Sequence, residues 1–243
     1  MAWVCLGIGA LLAVWEAVSR LAGSALILPG PLPVINRFRV LVGTEKFLSS
    51  LGGSFCRVAL GIFLSAPLGV IAGIASGLDR RVRACMAPLF SVISATPVMS
   101  VILIAFLWFG QERTPVFTAF LMVFPVMAAN TMEGIGSVDR LLEEFCAAFK
   151  LSRTERLRRL YIPAVTPFIL GGLRSSLSLC WKVVVAAEVL VQPLRALGTG
   201  MQTAKAQLET AELFAWTAAT VIAAALSELA LGLLVYRKGR RRP

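Results

Sequence analysis

Apolar stretches of about twenty residues recur along this 243-residue chain, and they constrain its fold more than any other feature. An α-helix of about 20 mainly apolar residues crosses a bilayer, because the helix satisfies its own backbone polar groups. Six such stretches lie at about residues 2–18, 56–78, 88–109, 115–132, 163–191 and 213–236. The sequence therefore predicts an all-α integral membrane protein with six transmembrane helices. Pro97 and Pro125 lie inside predicted spans, which is tolerated where neighbouring helices pack closely.

The distribution of Lys and Arg between the connecting loops predicts the topology. One set of alternate loops carries 14 basic residues and the other set 7. The richer set consists of Arg80, Arg81, Arg83, Arg140, Lys150, Arg153, Arg156, Arg158, Arg159, Arg237, Lys238, Arg240, Arg241 and Arg242. Cytoplasmic loops carry the excess of Lys and Arg, so both termini are expected in the cytoplasm. No basic region precedes the first stretch, and we expect a retained span there rather than a cleaved signal peptide.

Composition argues against several classes of site. The chain has no histidine, and its five cysteines are scattered without a C-x-x-C pair, so no metal site or His-based catalytic residue is expected. The sequence contains no G-x-x-x-x-G-K-[ST] phosphate loop, so this chain is not expected to be an ATPase of the phosphate-loop type. The net charge of +11 is explained by the cytoplasmic loops, and no nucleic-acid partner is expected.

One cytoplasmic loop has more local order than a charge-bearing connection requires. Asp139 can cap a helix on which Leu141, Phe145 and Phe149 share one face, at positions i, i+4 and i+8. Ser152 and Glu155 then have the spacing of a capping box that starts a second short helix. Two short amphipathic helices with a corner between them indicate either a docking surface for a partner or a lid over the bundle.

The same loop resembles the cytoplasmic signature of binding-protein-dependent ABC transporter permeases, E-A-A-(three)-G-(nine)-I-x-L-P. The positions that align with it are Glu144, Phe145, Cys146, Lys150, Leu160, Ile162 and Pro163. Phe145 and Cys146 replace the two alanines, and Lys150 replaces the glycine. Residues 26–35, 50–74, 93–110 and 163–190 are similar in order and spacing to the nitrate/sulfonate/taurine branch of that family.

The resemblance implies a type I ABC permease of six helices that works as a dimer, here expected to be a homodimer. It implies an importer subunit of the bacterial inner membrane that forms the translocation path. The expected partners are a pair of ATPase subunits, which would hold ATP and Mg²⁺, and an extracytoplasmic substrate-binding protein. This chain would carry no cofactor and no catalytic residue.

The resemblance also implies a division of the chain and a set of coupling residues. Residues 1–44 would form the first span and an external Pro-rich connection, residues 45–236 the permease domain with a coupling loop at 134–162, and residues 237–243 a basic cytoplasmic tail. The ATPase-coupling residues would be Glu144, Phe145, Phe149, Lys150, Ser152, Glu155 and Pro163.

Ionisable residues inside spans are candidates for the translocation path, with structural pairing or snorkelling as the alternative. They are Glu16, Arg57, Arg174, Lys182, Glu188 and Glu228. Lys182 and Glu188, together with Pro97, are the path candidates that we select. Two other classes remain to be weighed. A secondary carrier is typically built from internal repeats, which this sequence does not show convincingly. A membrane enzyme needs a convergent catalytic set, which few buried carboxylates and no histidine argue against.

Overall fold

The computed structural model describes residues 2–239, so residues 240–243 of the predicted basic tail lie outside the described residues. All the regular elements described are helices. They are α1 (Ala2–Ala22), α2 (Pro31–Val42), α3 (Glu45–Leu78), α4 (Arg80–Ala95), α5 (Val98–Gly136), α6 (Arg140–Ala148), α7 (Arg153–Arg156), a π-helical turn (Leu157–Tyr161), α8 (Ile162–Val191), α9 (Leu197–Ala206) and α10 (Thr210–Gly239). The prediction of an all-α protein is confirmed.

Among the described residues, four helices are long and apolar enough to cross a membrane. They are Glu45–Leu78, Val98–Gly136, Thr154–Val191 and Thr210–Leu233. α1 covers the first stretch predicted to span. The protein is thus a helical membrane protein, and the count of six spans stays a prediction.

The predicted third span at residues 88–109 is not one helix, and its connection to the fourth span is shorter than predicted. Helix α4 ends at Ala95, and Pro97 follows in extended conformation as the residue that precedes α5. Proline has no backbone N–H that the break could leave without a partner. Further along, the expected connection of several residues between Phe109 and Pro115 is absent. A single non-helical residue, Gly110, with φ of 67°, turns the chain sharply inside α5. Glycine has no Cβ to penalise this backbone conformation.

The described chain divides into two compact units, and α3, α8 and α10 each contribute to both. The larger unit comprises Arg57–Val184 and the part of the chain from Ala224 onward. In it, Gly69, Gly73 and Gly77 lie four residues apart on α3 and face α5. A Cβ at Gly73 would lie 2.6 Å from both the backbone oxygen of Ala128 and the Cβ of Thr131. The two helices therefore touch through backbone atoms, as G-x-x-x-G spacing allows in membranes.

The smaller unit comprises the residues up to Cys56 together with Val185–Ala223. Two short helices that the sequence analysis did not predict, α2 and α9, belong to it. A bridge of 2.6 Å between Arg37 and Glu212 ties α2 to the start of α10. The indole of Trp216 is fully buried and packs against Gly200 of α9. Both helices are thus held by long-range contacts rather than by a strong local pattern.

Candidate functional site

Helix α6 begins at the predicted capping residue and presents its apolar side chains as the sequence predicted. The backbone N–H of Leu141 donates to Oδ1 of Asp139 at 2.9 Å, so Asp139 caps the helix. The side chains of Leu141, Phe145 and Phe149 are 71%, 60% and 64% exposed. The rings of Phe145 and Phe149 lie 4.5 Å apart between centroids. The predicted apolar face is thus present and open to a partner, and Glu144 beside it is also exposed.

The corner after α6 forms although lysine stands where the family motif has glycine. Lys150 has φ of 52°, and the N–H of Leu151 donates to the carbonyl of Cys146 at 3.1 Å, which closes the helix end. A residue with a Cβ in this left-handed conformation costs about 1–2 kcal/mol. The turn is therefore kept at some cost in free energy, and the Lys150 side chain is exposed at the corner.

The capping box that starts α7 is confirmed. The N–H of Ser152 donates to Oε2 of Glu155 at 3.0 Å, and the N–H of Glu155 donates to Oγ of Ser152 at 3.3 Å. The Ser152 hydroxyl also donates to Oε2 of Glu155 at 2.8 Å, and this bond and the one from the Ser152 N–H lower the pKa of the Glu155 carboxyl, with a smaller contribution from Arg159. Because this pKa is lowered in the folded protein, the cap stabilises α7 fully at pH values above the ordinary carboxyl pKa of 4.5. The stabilisation is lost as the pH falls through the lowered pKa. The cap is therefore intact at neutral pH.

A π-helical turn at Leu157–Tyr161 joins α7 to α8, and Pro163 lies in the first turn of α8. Such turns occur frequently at functional sites. Thr154, Glu155, Arg158 and Arg159 line a cavity of about 280 Å³ on this part of the chain. The charges on residues 155–159 place this stretch outside the lipid-crossing part of the long Thr154–Val191 helix. We call residues 140–161 the coupling segment.

The three residues predicted for the translocation path lie in different surroundings. Lys182 is exposed on α8, and Pro97 is exposed at the break between α4 and α5. Glu188 is fully buried. Its carboxylate accepts a hydrogen bond from Oγ of Ser54 at 2.8 Å and one from the N–H of Gly198 at 3.2 Å. Ser54 in turn accepts from the N–H of Leu197 at 2.9 Å.

The buried Glu188 network escaped the sequence analysis. It fixes the start of α9 against α3 and α8, because backbone N–H groups of Leu197 and Gly198 are two of its donors. A Cβ at Gly198 would lie 2.5 Å from the Cβ of Glu188, so only glycine fits there. Ser54 and Glu188 are 134 residues apart, and no local pattern in a single sequence signals such a contact.

Two other ionisable residues of the predicted spans form ion pairs. Nη2 of Arg57, whose side chain is 9% exposed, lies 2.6 Å from Oε2 of Glu112. Glu16 pairs with Arg20 at 2.7 Å, one helical turn away on α1. Both pairs favour the structural alternative for Arg57 and Glu16. Among the described residues, no group of three or more Cys, Asp or Glu side chains could hold a metal ion.

Solved structures of low sequence identity share this fold. A bacterial ABC transporter that imports the acidic polysaccharide alginate matches with a TM-score of 0.64 at 13% identity, over 99% of this chain and 96% of that chain. The alginate transporter in complex with a periplasmic protein that holds an alginate pentasaccharide matches with a TM-score of 0.65 at 14% identity, over 98% and 94% of the two chains.

Relatives of higher identity carry transport names. The taurine transport system permease protein TauC of Escherichia coli is 32% identical, covering 96% of this chain and 88% of its own length. The putative aliphatic sulfonates transport permease protein SsuC of Bacillus subtilis is 30% identical, covering 74% and 66%. The bicarbonate transport system permease protein CmpB of Synechococcus elongatus is 29% identical, covering 79% and 73%.

The family model that describes the inner membrane component of binding-protein-dependent transport systems matches residues 65–240, well over half of the chain. With the relatives and the shared fold, this match confirms the resemblance found in the coupling loop. The chain belongs to the family of inner membrane components of binding-protein-dependent transport systems, and it is a permease subunit of an ABC importer.

Proposed function

We propose that this permease subunit works as a homodimer with a separate pair of ATPase subunits, which bind ATP and Mg²⁺, and with an extracytoplasmic substrate-binding protein. The observation that carries the ATPase partner is the exposed apolar face of α6, on a segment whose two short helices each begin with a capped turn. Exposed aromatic side chains on an ordered helix are typical anchors of protein interfaces. The solved alginate transporter in complex with its periplasmic protein supports the second partner.

The coupling segment has the geometry to pass motion from an ATPase to the spans. Phe145 and Phe149 would enter an apolar pocket on the partner, while the Ser152–Glu155 box fixes the entry angle of α7. α7 continues through the π-helical turn into α8 without an intervening loop. A displacement of the docked helix is therefore delivered to the base of a membrane-crossing helix.

Co-purification tests this proposal. The chain is expressed together with candidate ATPase and substrate-binding-protein subunits from the same genome, and the permease is captured from detergent extract. We expect the ATPase to remain bound, and its hydrolysis in proteoliposomes to rise when the loaded binding protein is added. An ATPase that does not bind, or whose rate ignores the permease and the binding protein, would contradict the proposal.

We also propose that both termini and the coupling segment lie in the cytoplasm, and Cys85 offers a test. Cys85 is exposed and lies two residues after Arg83 in the basic α3–α4 region, whereas Cys146 of the coupling segment is buried. A membrane-impermeant thiol reagent should modify Cys85 in inverted vesicles and spare it in sealed right-side-out vesicles. Peptide mass spectrometry locates the modification, and a Cys85→Ser variant gives the background. Modification of Cys85 from outside would reverse the proposed orientation.

A further inference from the structure

One face of α8 is polar and exposed along its membrane-crossing part. It carries Gly171, Arg174, Ser175, Ser178 and Lys182, of which Ser178 is partly buried and the others are exposed. At about 100° per residue these positions fall within an arc of about 100°. The opposite side of the helix, with Ser176, Cys180 and Val184, is fully buried. We call the exposed arc the cationic face of α8.

Arg174 lies too far from both ends of α8 for the cationic face to be in contact with lipid. Arg174 lies about 18 Å along the axis from Ile162 and about 26 Å from Val191, the two ends of α8. A charged side chain at such depth costs about 2.5–3.5 kcal/mol on insertion scales, and such residues usually face the protein interior or water. Among the side chains that the structure describes, no ion pair involves Arg174 or Lys182. The cationic face therefore requires an aqueous or anionic neighbour.

The charge pattern of the face favours water and an anionic solute over a dry contact with a second copy. Both ionisable residues on the arc are cations, and no carboxylate lies between Gly171 and Lys182. A two-fold contact of this face with itself would bring like charges together, because such interfaces use the same patch on both copies. Water and an anion that moves through the path would solvate and neutralise both cations. The Ser178 hydroxyl between them adds a hydrogen-bond donor to an anionic oxygen, whereas the Ser175 hydroxyl donates to the carbonyl of Gly172 at 3.0 Å.

We propose that the cationic face of α8 lines the hydrated translocation path, and that Lys182 and Arg174 bind in turn the anionic group of the solute, such as a sulfonate or a carboxylate. The proposal rests on the permease function and adds the solute class to it. In the proposed orientation Lys182 lies nearer the outside, and Arg174 follows about 12 Å further in. The two cations thus mark successive positions for one negative charge.

Cysteine accessibility at Ser178 tests the proposal without knowledge of the solute. The background variant replaces the exposed Cys56 and Cys85 by serine, and Ser178→Cys is then introduced. The full complex in proteoliposomes is treated with anionic sulfonatoethyl methanethiosulfonate or with its cationic trimethylammonium counterpart, without ATP. We expect modification at Ser178→Cys, with the anionic reagent faster than the cationic one once each rate is divided by its rate with a free thiol in solution. Ser176→Cys on the buried side and Leu229→Cys, at an exposed apolar position of α10, should stay unmodified.

Removing the charge at Lys182 should change the ratio of the two modification rates by an amount that follows from its distance to position 178. Positions 178 and 182 are one helical turn apart, about 6 Å between side chains. A unit charge at about 6 Å in water changes the local concentration of a monovalent ion about threefold, in opposite directions for the two reagents. Lys182→Met should therefore lower the ratio of the anionic to the cationic rate about tenfold at low salt, while Lys182→Arg should preserve it.

Either of two other outcomes would overturn the inference. If Ser178→Cys is as unreactive as the Ser176→Cys and Leu229→Cys controls, lipid or a second copy covers the face. If both reagents react equally and Lys182→Met changes nothing, the path is hydrated but does not select anions. The reactions need no ATP hydrolysis. Failure of the ATPase partnership would therefore appear in co-purification and leave these rates as expected.

Discussion

Replacing Phe145 with aspartate is expected to abolish the binding-protein-dependent ATPase activity of the reconstituted complex. Burying a phenylalanine side chain contributes about 1.5–3 kcal/mol, and a carboxylate in the same pocket adds a desolvation cost. The affinity of the partner ATPase should fall by at least about 100-fold. Phe145 is 60% exposed in the subunit, so the permease itself should fold and insert normally. Co-purification and the ATPase rate in proteoliposomes measure the effect.

Matched variants separate docking from other roles of the coupling segment. Phe145→Leu keeps an apolar anchor and should retain most of the activity. Ser152→Pro removes the cap of α7 and should uncouple hydrolysis from the binding protein, whereas Ser152→Thr keeps a capping hydroxyl and should not. If Phe145→Asp hydrolyses ATP as the parent does, the docking role is wrong. If it binds the ATPase normally and leaks solute, the segment is a lid over the bundle.

Gly73→Ala is expected to cause a large loss of folded protein. The added Cβ would lie 2.6 Å from the backbone oxygen of Ala128, and backbone cannot move aside as a flexible side chain does. Overpacking of this kind typically costs about 1–3 kcal/mol, and here two helices must separate along their contact. The yield of monodisperse protein and the thermal midpoint in detergent should both fall.

The same substitution at Gly52 provides the control on the same helix. A Cβ there meets nothing within 4 Å. Alanine is favoured over glycine in an open helix position by about 1 kcal/mol, so Gly52→Ala should leave stability equal or raise it. Equal behaviour of the two variants would mean that α3 and α5 are not in backbone contact at Gly73.

Local patterns in the sequence predicted the parts of the structure that depend on near neighbours. Asp139 and the Ser152–Glu155 box were readable because a cap needs only residues two or three positions away. Proline cannot donate a backbone hydrogen bond, which is a signal for the break at Pro97, but the prediction kept Pro97 inside one span. The G-x-x-x-G spacing of Gly69, Gly73 and Gly77 was also a usable signal, and the sequence analysis did not use it.

Parts that depend on distant residues were not predictable from one sequence. Ser54 finds Glu188 across 134 positions, and α2 is anchored by a pair that joins Arg37 to Glu212. The turn at Gly110 was missed because glycine also occurs within helices, and only its φ of 67° shows the turn. Lys150 shows a local departure as well, since a lysine adopts a backbone conformation that sequence reasoning assigns to glycine. The exposure of Arg174 likewise depends on which helices cover α8.

The backbone contact between α3 and α5 has a mechanical consequence. Where Gly69, Gly73 and Gly77 meet α5, no long side chain stands between the helices on the α3 side. The α3 side of such a contact has no rotamers that can be exchanged to absorb a shift, and close-packed interiors transmit strain. A force on one of the two helices therefore displaces the other by the same amount. The two helices therefore move together as one rigid element. Bending occurs outside their contact, at the Gly110 turn and at the break before Val98.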